Sequence, residues 1–191
     1  TLGVFQSPDL SSSGESKHLF QKIQDSNLRL RPARLNATDT WTYMFSIYRP
    51  KITYSAPVCN LSRTEWMRLQ RPIMTTMLNN LGYPRSMPHA VVFGPIQMGG
   101  LGLVDGYAEQ GLAHIQQLLY HLRASTEVGT MLIVVLSWIY QFAGYDVPLL
   151  SNPDLPTDHI PSPWFTTTIA YLKEANCTIK LDCIPCVRLQ R

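Results

Sequence analysis

Apolar residues recur at helical spacing along most of the chain. In the clearest stretch Trp66, Leu69, Ile73, Met77 and Leu81 fall on one side at about 100° per residue. Ser62 and Glu65 have capping-box spacing ahead of it, and Gly82 suits the left-handed position that ends a helix, so a helix is predicted over 62–81. Pro72 lies inside it and predicts a kink or a break. A second stripe, Thr64, Arg68, Arg71, Thr75 and Asn79, is spaced four, three, four and four along another side.

Four further helices follow from the same pattern. Ser12 and Glu15 open one that carries Leu19, Phe20, Ile23 and Leu30, with Pro32 at its end. Thr38 to Arg49 reads as the next, with Trp41, Met44, Phe45 and Tyr48. Asp105 caps an amphipathic helix reaching about Arg123; Tyr107, Leu112, Ile115, Leu118, Leu119 and Leu122 share an arc, with Glu109, Gln110, Gln116 and Gln117 opposite. Ser162-Pro163 provides an N-cap and a first-turn proline for a helix through Ala175.

Other segments break the pattern. Residues 83–104 hold two short apolar runs among Pro and Gly, which predicts a buried loop or short strands. Residues 128–145 contain no charge over 18 positions, just touching the length of a membrane helix. Gly129, Thr130, Ser137, Gln141 and Gly144 interrupt that run and Glu127 and Asp146 flank it, so it reads as a central core helix rather than a span. Residues 146–163 carry five prolines and read as a linker or a long ordered loop. The opening Thr1-Leu2-Gly3-Val4-Phe5 and the tail around Cys183 and Cys186 are β-prone, and with no initiator Met the chain reads as a piece of something larger.

Charge alters this picture in two ways. Charged residues make up 15% of the 191, against ~25% in an average soluble domain, so part of the surface is expected to be covered. The net charge of +3 is uneven: residues 1–125 hold 12 basic and 7 acidic groups, residues 126–191 hold 4 and 6. The first two-thirds therefore suits a polyanion. The Arg68, Arg71, Thr75 and Asn79 stripe has charge-assisted and neutral donors at phosphate-contact spacing, although an ordinary solvated face has the same look. Arg29, Arg31 and Arg34 gather at a helix end, where either the helix dipole or a phosphate accounts for them.

Catalytic and metal chemistry find little support. No Asp-Asp or Asp-x-Asp pair exists to hold two metal ions, and no Ser lies in GxSxG. His114 and His121 share a helix edge without a third ligand and read as surface or boundary residues. Cys183 and Cys186 have CxxC spacing with Cys177 nearby, but no second ligand pair follows, so ordinary thiols in a reducing compartment are expected. Sequons at Asn36, Asn60 and Asn176 carry no weight without a secretion signal. Gly99-Gly100-Leu101-Gly102 matches no phosphate loop and reads as tight turns. The residues alone describe a mainly helical, mildly basic, non-catalytic module.

Several motifs together resemble a known family. Thr1-Leu2-Gly3-Val4 followed by Pro8-Asp9 resembles the end of the palm in non-LTR retrotransposon reverse transcriptases, with Leu10 in place of the usual Gly. Trp41, Tyr43, Pro50, Tyr54 and Pro57 resemble that family's thumb. Leu81-Gly82, Pro88 to Pro95, Gly99 to Leu103, then Tyr107, Glu109-Gln110-Gly111 and His121-Leu122-Arg123 are similar to the segment that follows, with His89 where the family commonly has Arg. The resemblance covers roughly residues 1–150 and is loose over 151–191.

The resemblance implies a mainly α fold: a helical thumb-like bundle with a short N-terminal palm-remnant strand or hairpin and an irregular Gly/Pro-rich segment. Residues 1–16 would be the palm end, 17–86 the thumb, 87–150 the connector helices, and 151–191 a Pro-rich linker with a C-terminal helix or strand. The catalytic aspartates and their Mg²⁺ would lie upstream in the palm, leaving no cofactor here and no polymerisation by this segment alone. The expected partners are the template–primer duplex and the palm and fingers of the same polyprotein, with no membrane, inside the cell in nucleus or cytoplasm. Arg29, Arg31, Arg34, Arg68, Arg71, Thr75 and Asn79 are the expected phosphate contacts. The alternative is a helical module that docks on a polymerase palm or another subunit without touching nucleic acid.

Overall fold

Periodicity of three to four residues becomes helix throughout. The computed structural model describes residues 13–124, 126–145 and 147–181. Among them α1 spans Ser13–Ala33, α2 Ala37–Tyr43, α3 Arg49–Thr53, α4 Arg63–Asn80, α5 His89–Phe93, α6 Gly106–Arg123, α7 Glu127–Ala143 and α8 Pro163–Glu174. A π turn, Met44–Tyr48, joins α2 to α3. The chain forms two compact units, Thr1–Gln110 and Gly111–Arg191.

No β-strand occurs among the described residues, which corrects the expected N-terminal strand or hairpin. Residues 13–16 of that segment already belong to α1, while the Leu2-Gly3-Val4 motif and Ser12 lie outside the described residues, as do Cys183 and Cys186. The short strands considered for 83–104 are also absent. Pro88 starts a single helical turn at His89–Phe93, and the chain then folds back on it. The amides of Leu101 and Leu103 bond the carbonyls of Val91 and Val92 at 2.7 and 3.0 Å, and Gly102 bonds Gly94 at 2.8 Å. These bonds satisfy the loop without a partner strand. The Gly99–Gly102 run forms the tight turns expected of it, with φ of 81° at Gly99 and 61° at Gly102.

In the first unit α1 packs along α4. Leu19, Ile23 and Leu30 of α1 are buried, as are Trp66, Leu69, Ile73 and Met77 of α4, and Met44, Tyr48 and Ile52 between them in sequence. Phe20, expected on the buried face of α1, is instead 41% exposed. The predicted capping box of α4 is present: Glu65 N donates to Ser62 Oγ at 3.3 Å, and Ser62 N donates to Glu65 Oε2 at 2.8 Å. Its end is a Schellman turn, with Gly82 at φ 80° and Tyr83 N bonded to Leu78 O at 2.8 Å. Between these caps α4 runs unbroken through Pro72.

Two buried glutamines tie this unit together. Gln110 accepts from Leu61 N at 3.1 Å and from Trp66 Nε1 at 2.8 Å, and donates to Leu61 O at 3.0 Å. It is fully buried, so its expected place on the polar arc of α6 is corrected: its amide is consumed by the chain ahead of α4 and by the α4 indole. Gln70 donates to Tyr48 Oη and Val104 O at 3.1 and 3.0 Å and accepts from Gly106 N at 2.9 Å. A β-carbon at Gly106 would run into the Trp66 ring, so glycine there lets α6 begin against α4.

The second unit buries Leu118 of α6, Leu136 and Ile139 of α7, and Phe165, Ile169 and Leu172 of α8. The proline-rich stretch is an ordered loop that adds Leu149, Leu150 and Ile160 to the same core. Ile179 N closes it by donating to Leu150 O at 2.8 Å. His114 is wholly buried rather than superficial. Thr168 donates its hydroxyl proton to Trp164 O at 2.8 Å, leaving an oxygen lone pair 3.0 Å away for His114 Nδ1–H.

The uncharged helix departs most from expectation. α7 buries Gly129, Leu136 and Ile139, but Met131, Val134, Val135, Trp138 and Phe142 are each about half exposed or more. Three- and four-residue steps join these residues into one stripe, and Trp138 and Phe142 stack at 5.4 Å. It is a core helix on one side only.

Candidate nucleic-acid interface

The solvent side of α4 forms one wall of a cleft of about 660 Å³. Arg63, Thr64, Arg68, Arg71 and Thr75 come from α4; Arg85 comes from the turn after it, and His89 from α5. The lining also has an apolar share, from Met67, Met74, Met87, Leu78, Val92 and Phe93. Asp105 is the one carboxylate in the lining. All these residues belong to the first unit.

Four guanidiniums facing one carboxylate make the cleft an anion-attracting surface. Those of Arg68, Arg71 and Arg85 make no ion pair or hydrogen bond among the described residues, while Arg63 sits 5.7 Å over the Tyr107 ring. Arg49, by contrast, is already paired, with Nε 2.9 Å from Glu109 Oε1. Asp105 is engaged locally, accepting from Tyr107 N at 3.0 Å at the start of α6. Thr75 donates its hydroxyl proton to Arg71 O at 2.9 Å, so it faces the cleft as an acceptor.

The expected phosphate contacts therefore divide. Arg68, Arg71 and Thr75 line the cleft; Asn79, Arg29, Arg31 and Arg34 do not. Two successive four-residue steps explain Asn79, since each overshoots the helical repeat by about 40° and carries the stripe past the cleft edge. Arg29, Arg31 and Arg34 are exposed around the end of α1, where Arg34 takes φ 43° as the helix ends. Near them Lys51 donates to Ser26 Oγ at 2.7 Å. Desolvation holds its ammonium below the usual lysine range, with Arg29 adding to the effect. This is a second, separate basic cluster on α1 and α3.

Sequence reasoning missed Arg63, Arg85 and His89. Arg63 lies off the stripe, and Arg85 and His89 lie past the turn at Gly82, beyond the helical repeat that the stripe follows. No group of three or more His, Cys, Asp or Glu that could hold a metal ion occurs among the described residues. The Cys59 thiol is buried and pushed up to about 12, mainly by desolvation, which removes it as a nucleophile at neutral pH. No single helix among the described residues is long and apolar enough to cross a membrane; only the sharply bent pair α6 and α7 reaches that composition together. Compared with protein-family models, with curated proteins and with solved structures, the chain matches none.

Proposed function

We propose that the first unit grips the phosphate backbone of a template–primer duplex as the thumb-like, non-catalytic part of a retroelement reverse transcriptase. One observation carries this reading: Arg68, Arg71 and Arg85, free of carboxylate partners among the described residues, line one cleft together with Arg63. Guanidiniums held this way donate to phosphate oxygens in pairs and position a duplex without reading its sequence. The motif resemblance names the kind of duplex.

The test is binding of an RNA–DNA hybrid to the 191-residue chain over a salt series. Four phosphate contacts correspond to a log–log slope of about −3 to −4. Failure to bind hybrid at about 50 mM salt rejects the reading.

A second reading is supported by the α7 stripe. Met131, Val134, Val135, Trp138 and Phe142 leave more contiguous apolar surface in water than scattered exposed residues do, as in a module that docks on a palm or another subunit. Self-association or binding of an apolar dye, without retention on hybrid, would favour it over the first.

A further inference from the structure

The cleft carries more than a phosphate grip needs. A duplex presents sugars and phosphates on a convex surface, with its base faces hidden by stacking. Such a surface makes no use of thioethers and an aromatic ring in the lining. Met67 in the lining is 43% exposed, and Phe93 and His89 of the same lining meet edge to face at 5.8 Å. The acceptors point the same way. Asp105 and the Thr75 hydroxyl oxygen repel or ignore phosphate, but they match the amino and imino donors of an unpaired base. The volume of about 660 Å³ is that of a small-molecule pocket, roomy enough for a nucleotide and too confined for a helix two strands wide.

Building on the duplex-binding reading above, we infer that the cleft takes unpaired nucleotides at the end of a duplex. The arginines on its rim hold the backbone, and Phe93, His89 and Met67 receive the splayed bases. Apolar and aromatic platforms of this kind bind bases of any identity, because every base has a π-face. The site therefore favours an overhang over a blunt end and is indifferent to the overhang's sequence. A polyanion without bases, such as polyglutamate, satisfies only the rim.

The test compares a blunt hybrid with the same hybrid bearing a short single-stranded overhang, using the 191-residue chain. The overhang is expected to tighten binding roughly tenfold, the size of one stacked base. A 2-aminopurine in the overhang is expected to lose fluorescence on binding, which requires no variant to fold. Met67→Ala with Phe93→Leu is expected to bring the ratio of overhang to blunt affinity close to one, and the melting transition confirms that this variant is folded. Equal affinity of the wild type for both hybrids overturns the inference while leaving the duplex reading standing. So does unchanged 2-aminopurine emission, or displacement by polyglutamate as effective as by a single strand of equal charge. If neither hybrid binds, the duplex reading itself fails and the inference falls with it.

Discussion

Replacement of Gln110 by Leu is expected to destabilise the first unit by about 3–9 kcal/mol. The substitution keeps the side chain's volume and removes its amide. Three buried groups then lose their partner: Leu61 N–H, Leu61 C=O and the Trp66 indole N–H. Each stranded group costs about 1–3 kcal/mol, because water cannot reach it in the folded state. Leu61 and Trp66 are both essentially unexposed, so no relaxation of surface side chains relieves the loss. Against the 5–15 kcal/mol typical of a whole domain, this is a large fraction. Urea unfolding followed by tryptophan fluorescence gives the measurement. Gln117→Leu, an exposed position on the same helix, serves as the control and should shift stability by no more than about 0.5 kcal/mol. Equal behaviour of the two variants would show that the Gln110 bonds do not hold α6 to α4.

The second large effect concerns binding. Removing Arg68 and Arg71 together, as Arg68→Ala with Arg71→Ala, is expected to weaken hybrid affinity roughly a hundredfold, from two charge-assisted contacts of about 1.5 kcal/mol each. The salt slope should flatten by about 1.8 units, since each lost phosphate contact removes about 0.9. Both side chains are exposed and unpaired among the described residues, so the melting temperature should hardly move. Arg49→Ala is the matched control: its charge is already neutralised by Glu109, and the slope should stay within the error of wild type. Anisotropy titrations at several salt concentrations distinguish these outcomes. An unaltered slope in the double variant would remove the cleft from the interface.

What the sequence made legible was local. The α4 capping box, its glycine end and the Asp105 start of α6 depend on residues within a few positions of each other, and all three are found. The burial of Gln70 and Gln110 depends on partners 22 to 49 residues away, which periodicity does not report. Half of the cleft was hidden for the same reason: Arg68 and Arg71 shared a visible helical stripe, whereas Arg85 and His89 join them from beyond the turn at Gly82. The α7 error is different in kind. A helix with no charge after its first residue gives little contrast between a face that is packed and one left bare. The short strands considered for 83–104 failed because a short apolar run such as Ala90–Phe93 is equally compatible with one helical turn after a proline.

The π turn at Met44–Tyr48 bears on how this chain tolerates change in length. Arg49 N bonds Met44 O, five residues back, so the turn holds one residue beyond the α-helical count. Loss of one residue there would return the turn to regular α winding and leave the following segment close to its present orientation, because the π turn is how one extra residue is absorbed. Tyr48 would still reach Gln70, and Arg49 Glu109, where the residue lost lies ahead of both. A one-codon deletion inside the turn is therefore tolerated better than one in the α-helical winding beside it, where nothing takes up the rotation of about 100°.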